Sequence, residues 1–398
     1  VSEDYTQAKL LFKLKKATRY VRIFGVSRTL IKIKGQYHMK AMASFDGPKW
    51  INDSCGTPEA FERNVAIIGC GNYAFSNIAY YLKGQRRKFL RATYDINKSR
   101  SMSLCKAFGG VYATDDWRDI VTDPKVKLVY VASNHATHAD YAIACLDAGK
   151  SVYIEKPHVV SQDQLDRLLA AMERNPRSKV FLGFNRPKSR LFKELQLFLA
   201  KESGPLMINW FVAGHQIPAD HWYLKEGEGG RVLGNLCHWT DLTLHLVSMV
   251  KAFPCTIISA TPSSAESDFV VCVIFADRSC AAITFSAKGH TFEGVRETLN
   301  VHKGNVVANL TDFGSLAVDV VEQKHKVKSL FRDHGHGTNI LDSLQRVEAD
   351  SPGESVAYVG ATAKFFLAVR EAIDSGEKVE LYISDFAGAA CPAPSTSN

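Results

Sequence analysis

Between residues 65 and 183 the chain alternates short apolar runs with stretches of helical period. Val65-Ala66-Ile67-Ile68-Gly69 leads into a helical pattern over 72–83, and a run at 90–95 leads into one over 99–108. The same alternation follows at 128–132 with 136–148 and at 151–154 with 161–174, before a last run at 179–183. Near-continuous apolar strands separated by helices predict a parallel sheet covered on both faces. After residue 185 the pattern changes. Helical segments are predicted near 188–201 and 231–250, with a strand at 206–212 between them. Runs at 255–261, 268–276, 280–287, 296–302, 305–311 and 315–321 then follow one another without helices, which predicts an antiparallel sheet of about six strands. Helical patterns return near 338–347 and 354–375.

Composition changes this picture at the N-terminus. A chain of 398 residues is too long for one compact core. No apolar stretch reaches the ~18 residues of a membrane span, and the N-terminus lacks the regions of a secretory signal. Nine scattered Cys without a C-x-x-C pair point to reduced thiols in a cytoplasmic protein, not to a disulfide framework. Residues 1–50 hold 11 Lys or Arg against 3 Asp or Glu, so the whole net charge of +8 resides there. Residues 8–34 of this segment mix cationic, aliphatic and aromatic side chains. They read as an interfacial helix on an anionic membrane, as a clamp on a phosphate-bearing substrate, or as a packed extension with a solvated face. The last is favoured, because most charge runs mark solvent. Nucleic-acid binding is not expected, since no reader motif accompanies the basic residues.

The strongest motif is Gly69-Cys70-Gly71-Asn72-Tyr73-Ala74, a G-x-G-x-x-A that follows a strand and opens a helix. Gly69 permits the tight turn, Gly71 lets backbone amides approach a pyrophosphate, and Ala74 keeps helix and strand close. Asp95 stands at the end of the second strand, where a carboxylate accepts from ribose hydroxyls and repels a 2′-phosphate. NAD is therefore favoured over NADP, although Lys98 and Arg100 lie close enough to weaken the preference. Ser133, Asn134 and His135 follow the next strand and face the crevice where an open α/β sheet binds its ligand. Glu155-Lys156-Pro157 follows the strand after that. A Lys there can donate to a substrate oxygen or exchange a proton. Downstream, His238 and Asp241 lie three apart on one helix face and suggest a proton relay. No third ligand accompanies them, so a metal site is not expected. The fold class expected is α/β, with an N-terminal Rossmann domain and a C-terminal α/β domain built on an open, mostly antiparallel sheet. The boundaries expected are a basic extension and linker at 1–62, the Rossmann domain at 63–185, a substrate-binding and oligomerisation domain at 186–388, and a disordered tail at 389–398.

These motifs, with Gly183-Phe184-Asn185-Arg186 and the Gly229-Gly230 to His238-x-x-Asp241 helix, resemble the glucose–fructose oxidoreductase, inositol dehydrogenase and rhizopine catabolism (Gfo/Idh/MocA) family. The run from Val212 to Trp222 looks closest to the oxidoreductase half of bacterial bi-domain proteins. The resemblance covers about 63 to 385. It implies transfer of a hydride between NAD(P) and a carbinol of a sugar, polyol or nucleotide-sugar, in a homo-oligomer. It places Lys156 and His238 in the catalytic positions, with Asp241 orienting His238. Gly69, Gly71, Asn72, Tyr73, Ala74, Asp95, Ser133, Asn134, His135, Glu155 and Lys156 are assigned to the cofactor. Arg186, Lys188, His221, Trp222 and Asn235 are assigned to the substrate. One departure stands out: many members carry Asp four residues before the His, where this chain has Gly234. Two other readings stay open. One is an enzyme that retains its NAD and oxidises a sugar transiently during elimination or epimerisation. The other is an NAD-binding regulatory protein without catalysis.

Overall fold

The computed structural model describes residues 6–52, 62–85, 87–261, 268–288 and 292–383. The tail expected at 389–398 and positions 53–61 of the expected linker lie outside the described residues. The basic N-terminal segment forms two helices, α1 (Leu10–Phe24) and α2 (Val26–His38), turned on Gly25. Gly25 has φ 82°, in the left-handed region that favours glycine.

The first sheet has seven strands: β1 (Lys49–Ile51), β2 (Val65–Ile68), β3 (Leu90–Tyr94), β4 (Tyr112–Thr114), β5 (Leu128–Val131), β6 (Ser151–Ile154) and β7 (Val180–Leu182). Their order is β1-β4-β3-β2-β5-β6-β7, parallel throughout except where β1 pairs with β4. All four residues of β2, of β5 and of β6 are buried, as a sheet covered on both faces requires. The helices between strands are α3 (Ala79–Lys83), entered through a π-helical turn at Ala74–Ile78, then α4 (Lys98–Phe108), α5 (Arg118–Thr122), α6 (His138–Asp147) and α7 (Gln162–Arg174). Capping fixes two of their starts. The Asn97 and Ser161 side chains accept from the Arg100 and Gln164 amides. The three-residue strands β1 and β4 were not predicted, because three residues are too few to show a period.

The second sheet has nine strands among the described residues, not the six expected. They are β8 (Met207–Ala213), β9 (Cys255–Ser259), β10 (Asp268–Ile274), β11 (Cys280–Ser286), β12 (Arg296–Lys303), β13 (Val306–Thr311), β14 (Ser315–Val320), β15 (Gln323–Lys328) and β16 (Val379–Leu381), in the order β15-β14-β13-β12-β8-β11-β10-β9-β16. All neighbours are antiparallel except β8 and β11. Strand β15 escaped prediction because it is polar on both faces. Elsewhere burial alternates: in β8, Ile208, Trp210 and Val212 are buried while Met207 and Phe211 are exposed. The buried face is covered by α8 (Arg190–Leu199), α9 (Cys237–Val247), the short α10 (Met249–Ala252) and α12 (Val356–Ser375). The intervening α11 (His336–Glu348) packs instead on α3 of the first unit. The helix expected at 231–250 is broken, because Ser248 turns to φ 73° between α9 and α10.

Candidate active site

Strand order reverses between β2 and β5, and the loops at the carboxyl ends of β2, β5 and β6 lie where an open α/β sheet binds its ligand. At Gly69, φ is 88° and a Cβ would lie 2.4 Å from the Ser133 amide nitrogen, so only glycine fits the turn. Gly71 is the opposite case: nothing lies within 4 Å of an added Cβ, leaving an open cradle beside its backbone. Ala74 is buried against the sheet. Asp95 reaches back across the loop, accepting from Cys70 N at 2.7 Å through Oδ2 and from Asn97 N at 2.8 Å through Oδ1. The neighbouring Ile96 is 89% exposed, an apolar surface at the adenosine end. Asn72 Oδ1 is buried without a hydrogen-bond partner, and the buried Tyr73 hydroxyl lies against Glu155 and Tyr153. An open glycine cradle, a carboxylate at the ribose position and an uncovered apolar residue beside it fit a dinucleotide. Lys98, one of the two cations expected to blur the choice of cofactor, is held by Asp115 at 2.7 Å.

Lys156 follows β6, and its Nζ donates to the Gly234 carbonyl at 2.6 Å. Burial works against the ammonium, but Tyr223, Cys237 and Glu155 outweigh it and hold the pKa above the ordinary lysine value. Glu155 is pushed up to about 7 by burial, against the pull of Lys156, while Tyr153 donates to its Oε1 at 3.2 Å. Gly234 is where the family resemblance leads one to expect Asp. A Cβ there would lie 2.7 Å from His135 Cε1 and 2.8 Å from Tyr223 Cε2, so the position holds no side chain. A backbone carbonyl meets Lys156 instead.

His238 lies at the start of α9, near Phe184 (ring centroids 6.1 Å apart). Its Nδ1 is buried without a partner. Burial, then Arg186 and Lys156, press its pKa well below the ordinary value, so the ring is neutral. Asp241 does not orient it. Oδ1 of Asp241 accepts from the Tyr358 hydroxyl at 2.6 Å and from Thr362 at 3.2 Å, both on α12. The helix is buried on every side here, so residues three apart turn to different neighbours.

The residues after β5 are clasped from the second unit. Ser133 Oγ pairs with Thr137 Oγ1 at 2.8 Å. Glu228 accepts from the Asn134 carboxamide and from Ala136 N (3.1 Å), and its carbonyl faces His135 Nδ1 at 2.9 Å. His135, pushed down to about 2 by burial and Lys156, also packs on Trp222 and Tyr223 at 4.6 and 4.5 Å between ring centroids. Of the residues assigned to substrate, Trp222 therefore sits on His135, and His221 accepts from the Tyr223 amide. Asn235 accepts from Arg231, Lys188 pairs with Asp342, and Arg186 forms a buried pair with Glu297 at 2.9 Å. Arg186 thus has no charge to spare for an anionic substrate.

Sequence reasoning missed Tyr223, Glu228, Glu297, His334 and His336. Glu297 carried a signal, being a charge at a core-facing position of an alternating strand, and His334-Gly335-His336-Gly337 carried a compositional one. Asn185 holds this last loop, donating to the His334 carbonyl at 2.6 Å and to His336 Nδ1 at 3.3 Å.

Residues 63–184 match the model of the oxidoreductase family with an NAD-binding Rossmann fold. This segment belongs to the Gfo/Idh/MocA family. Inositol 2-dehydrogenase 2 of Saccharopolyspora erythraea is 29% identical over 136 residues, 34% of this chain and 40% of that protein. Myo-inositol 2-dehydrogenase of Thermotoga maritima is 32% identical over 134 residues, 33% and 39% respectively. The matches thus span about two fifths of these curated relatives. Among solved structures, GenD2 from gentamicin A biosynthesis, in complex with NAD, superposes with TM-score 0.68 at 20% identity over 81% of this chain and 97% of its own. Levoglucosan dehydrogenase with NADH gives 0.68 at 17% identity over 80% and 98%. These two likenesses extend the shared fold to the second sheet. Of the site described above, His238, Tyr223, Glu228 and Glu297 lie beyond the Gfo/Idh/MocA segment, as does α2.

Proposed function

We propose that the chain is an NAD(P)-dependent oxidoreductase acting on a carbinol of a sugar or polyol. The observation that carries this reading is Lys156 at the end of the strand beside the glycine loop, with a neutral His238 from α9 close enough to feel its charge. The inositol dehydrogenases among the relatives support the polyol class. The carboxylate of Asp95 at the ribose position supports NAD over NADP.

A bound dinucleotide would supply the two-electron acceptor or donor. Gly69, Gly71, Asn72 and Tyr73 would hold it, with Asp95 on the adenosine ribose. Lys156 keeps its proton and spends one of three donors on Gly234, so the others are free to stabilise a developing alkoxide. His238, uncharged and with an unpartnered Nδ1, accepts the hydroxyl proton. Asp241 anchors α9 to α12 and takes no part in the transfer. Turnover of a polyol panel tests the reading, with Lys156→Ala expected to bind the dinucleotide normally and to lose turnover by ~10²-fold or more. Wild-type turnover in that variant would remove Lys156 from catalysis.

The Glu228 clasp and the packing of α2 on the glycine loop favour a second reading, in which the dinucleotide is retained and recycled without net redox change. Mass spectrometry of small molecules released on denaturation separates the two. A stoichiometric dinucleotide, with no consumption of added NAD, selects the second.

A further inference from the structure

Helix α2 lies along the helical segment that follows the glycine loop. Arg28, Lys32 and Gly35 fall on one stripe of α2, spaced by four and three residues. Arg28 donates to the Ser76 carbonyl at 2.5 Å and to Asn77 Oδ1 at 2.6 Å, with its guanidinium over Tyr80 and Tyr81. Gly35 abuts Asn72 so closely that a Cβ would lie 2.3 Å from its Oδ1. Beyond it, His38 meets the Cys70 carbonyl at 2.7 Å and Ser103 Oγ at 2.9 Å, and stacks on Phe75. The two helical segments therefore run in opposite directions, and α2 ends on the glycine loop itself.

Lys32 sits between the Arg28 and Gly35 contacts, level with the first turn after Gly71. From the other side, α11 brings His336 to within 5.9 Å of Tyr73 (ring centroids); its imidazole is pressed down first by burial, then by His334, Arg28 and Arg186, with Lys32 adding to them. Among the described residues neither cation pairs with a carboxylate; Lys32 rests 5.4 Å from the Phe24 ring. Burial and the Arg28 charge pull the Lys32 ammonium down to about 8. Lys32 is half-buried; a partly desolvated cation without a counter-charge is costly, and an anion brought beside it relieves the cost. The open cradle at Gly71 is where such an anion would arrive.

We propose that Lys32 is the counter-charge for the pyrophosphate of the bound dinucleotide, so that the N-terminal helix pair, outside the family segment, completes the cofactor site. This rests on the dinucleotide reading above. Arg28 is tied to the Ser76 carbonyl and Asn77 of the segment it flanks, whereas Lys32 is committed to no carboxylate among the described residues.

The test is binding of ADP-ribose, which keeps the pyrophosphate without the nicotinamide, and of adenosine, which lacks it. Binding is read by calorimetry and by ligand-induced thermal shift on the full chain. Lys32→Met keeps the length of the side chain and removes its charge. It is expected to melt no lower than wild type without ligand, to bind ADP-ribose at least tenfold more weakly, and to bind adenosine unchanged. Lys32→Arg recovers most of the ADP-ribose affinity. Lys15→Met, the same charge change on an exposed position of α1, behaves as wild type. Equal ADP-ribose affinity in Lys32→Met overturns the proposal, as does an equal loss for adenosine, which would mean that α2 merely holds the fold. Weakening confined to a sugar phosphate would place Lys32 on the substrate instead. If wild type binds neither ADP-ribose nor NAD, the dinucleotide reading itself falls.

Discussion

Removing the charge of Glu297 tests how the two halves of the site are held together. Glu297 projects from β12 into the core, where its carboxylate receives Arg186 Nε on both oxygens at 2.9 and 3.1 Å, and Trp239 Nε1 at 2.9 Å. His334 Nε2 stands 3.2 Å away. Burial opposes the charge, yet Arg186 and His334 outweigh it and hold the carboxyl down to about 2. Against an ordinary value near 4.5, this corresponds to ~3 kcal/mol of folding stability. Because the folded value is depressed, that stability is present above pH ~4.5 and is lost as pH falls towards ~2. Glu297→Gln keeps the shape and strands Arg186 as a buried, uncompensated cation, at an expected cost of about 3–5 kcal/mol near pH 7. Replacing both Arg186 and Glu297 by Met should recover most of it, since no buried charge then remains. The assay is urea unfolding followed by fluorescence from pH 7 down to pH 3. The gap between wild type and Glu297→Gln should narrow as pH falls. A gap that stays constant with pH, or one below ~1 kcal/mol at pH 7, refutes the reasoning.

Two further substitutions probe the neighbourhood. Gly234→Ala places a methyl group against His135 and Tyr223 and should cost ~1–3 kcal/mol by overpacking, while displacing the carbonyl that meets Lys156. Thermal melting and turnover should therefore fall together, and an unchanged melting point would show that the site has room. Asp241 is pushed up to about 7 by burial, so wild type loses stability as pH rises from ~4 to ~7. Asp241→Asn, which keeps an acceptor for Tyr358, should gain on wild type over that window; parallel pH profiles would contradict the assignment.

The glycine loop, the parallel order around it and the place of Lys156 were legible along the chain. Each depends on residues close in sequence, and the period of burial repeats within single elements. Alternation in β8 to β14 was legible for the same reason, whereas β15, polar on both faces, and the three-residue β1, β4 and β16 carry too little pattern to read. Asp241 shows the limit of spacing arguments: residues three apart on a helix share a face in isolation, but α9 is buried all round, and packing turned Asp241 to α12 and left His238 beside Phe184. Gly234 looked like a missing carboxylate, until the rings of His135 and Tyr223 proved to fill its space. Glu228 on Asn134, Glu297 on Arg186, and α2 on Cys70 join residues separated by roughly thirty to over a hundred positions. Local propensity and periodicity describe each segment against solvent. They carry no record of which distant side chain will supply its counter-charge or fill the space beside it, because those pairings exist only once the segments are packed.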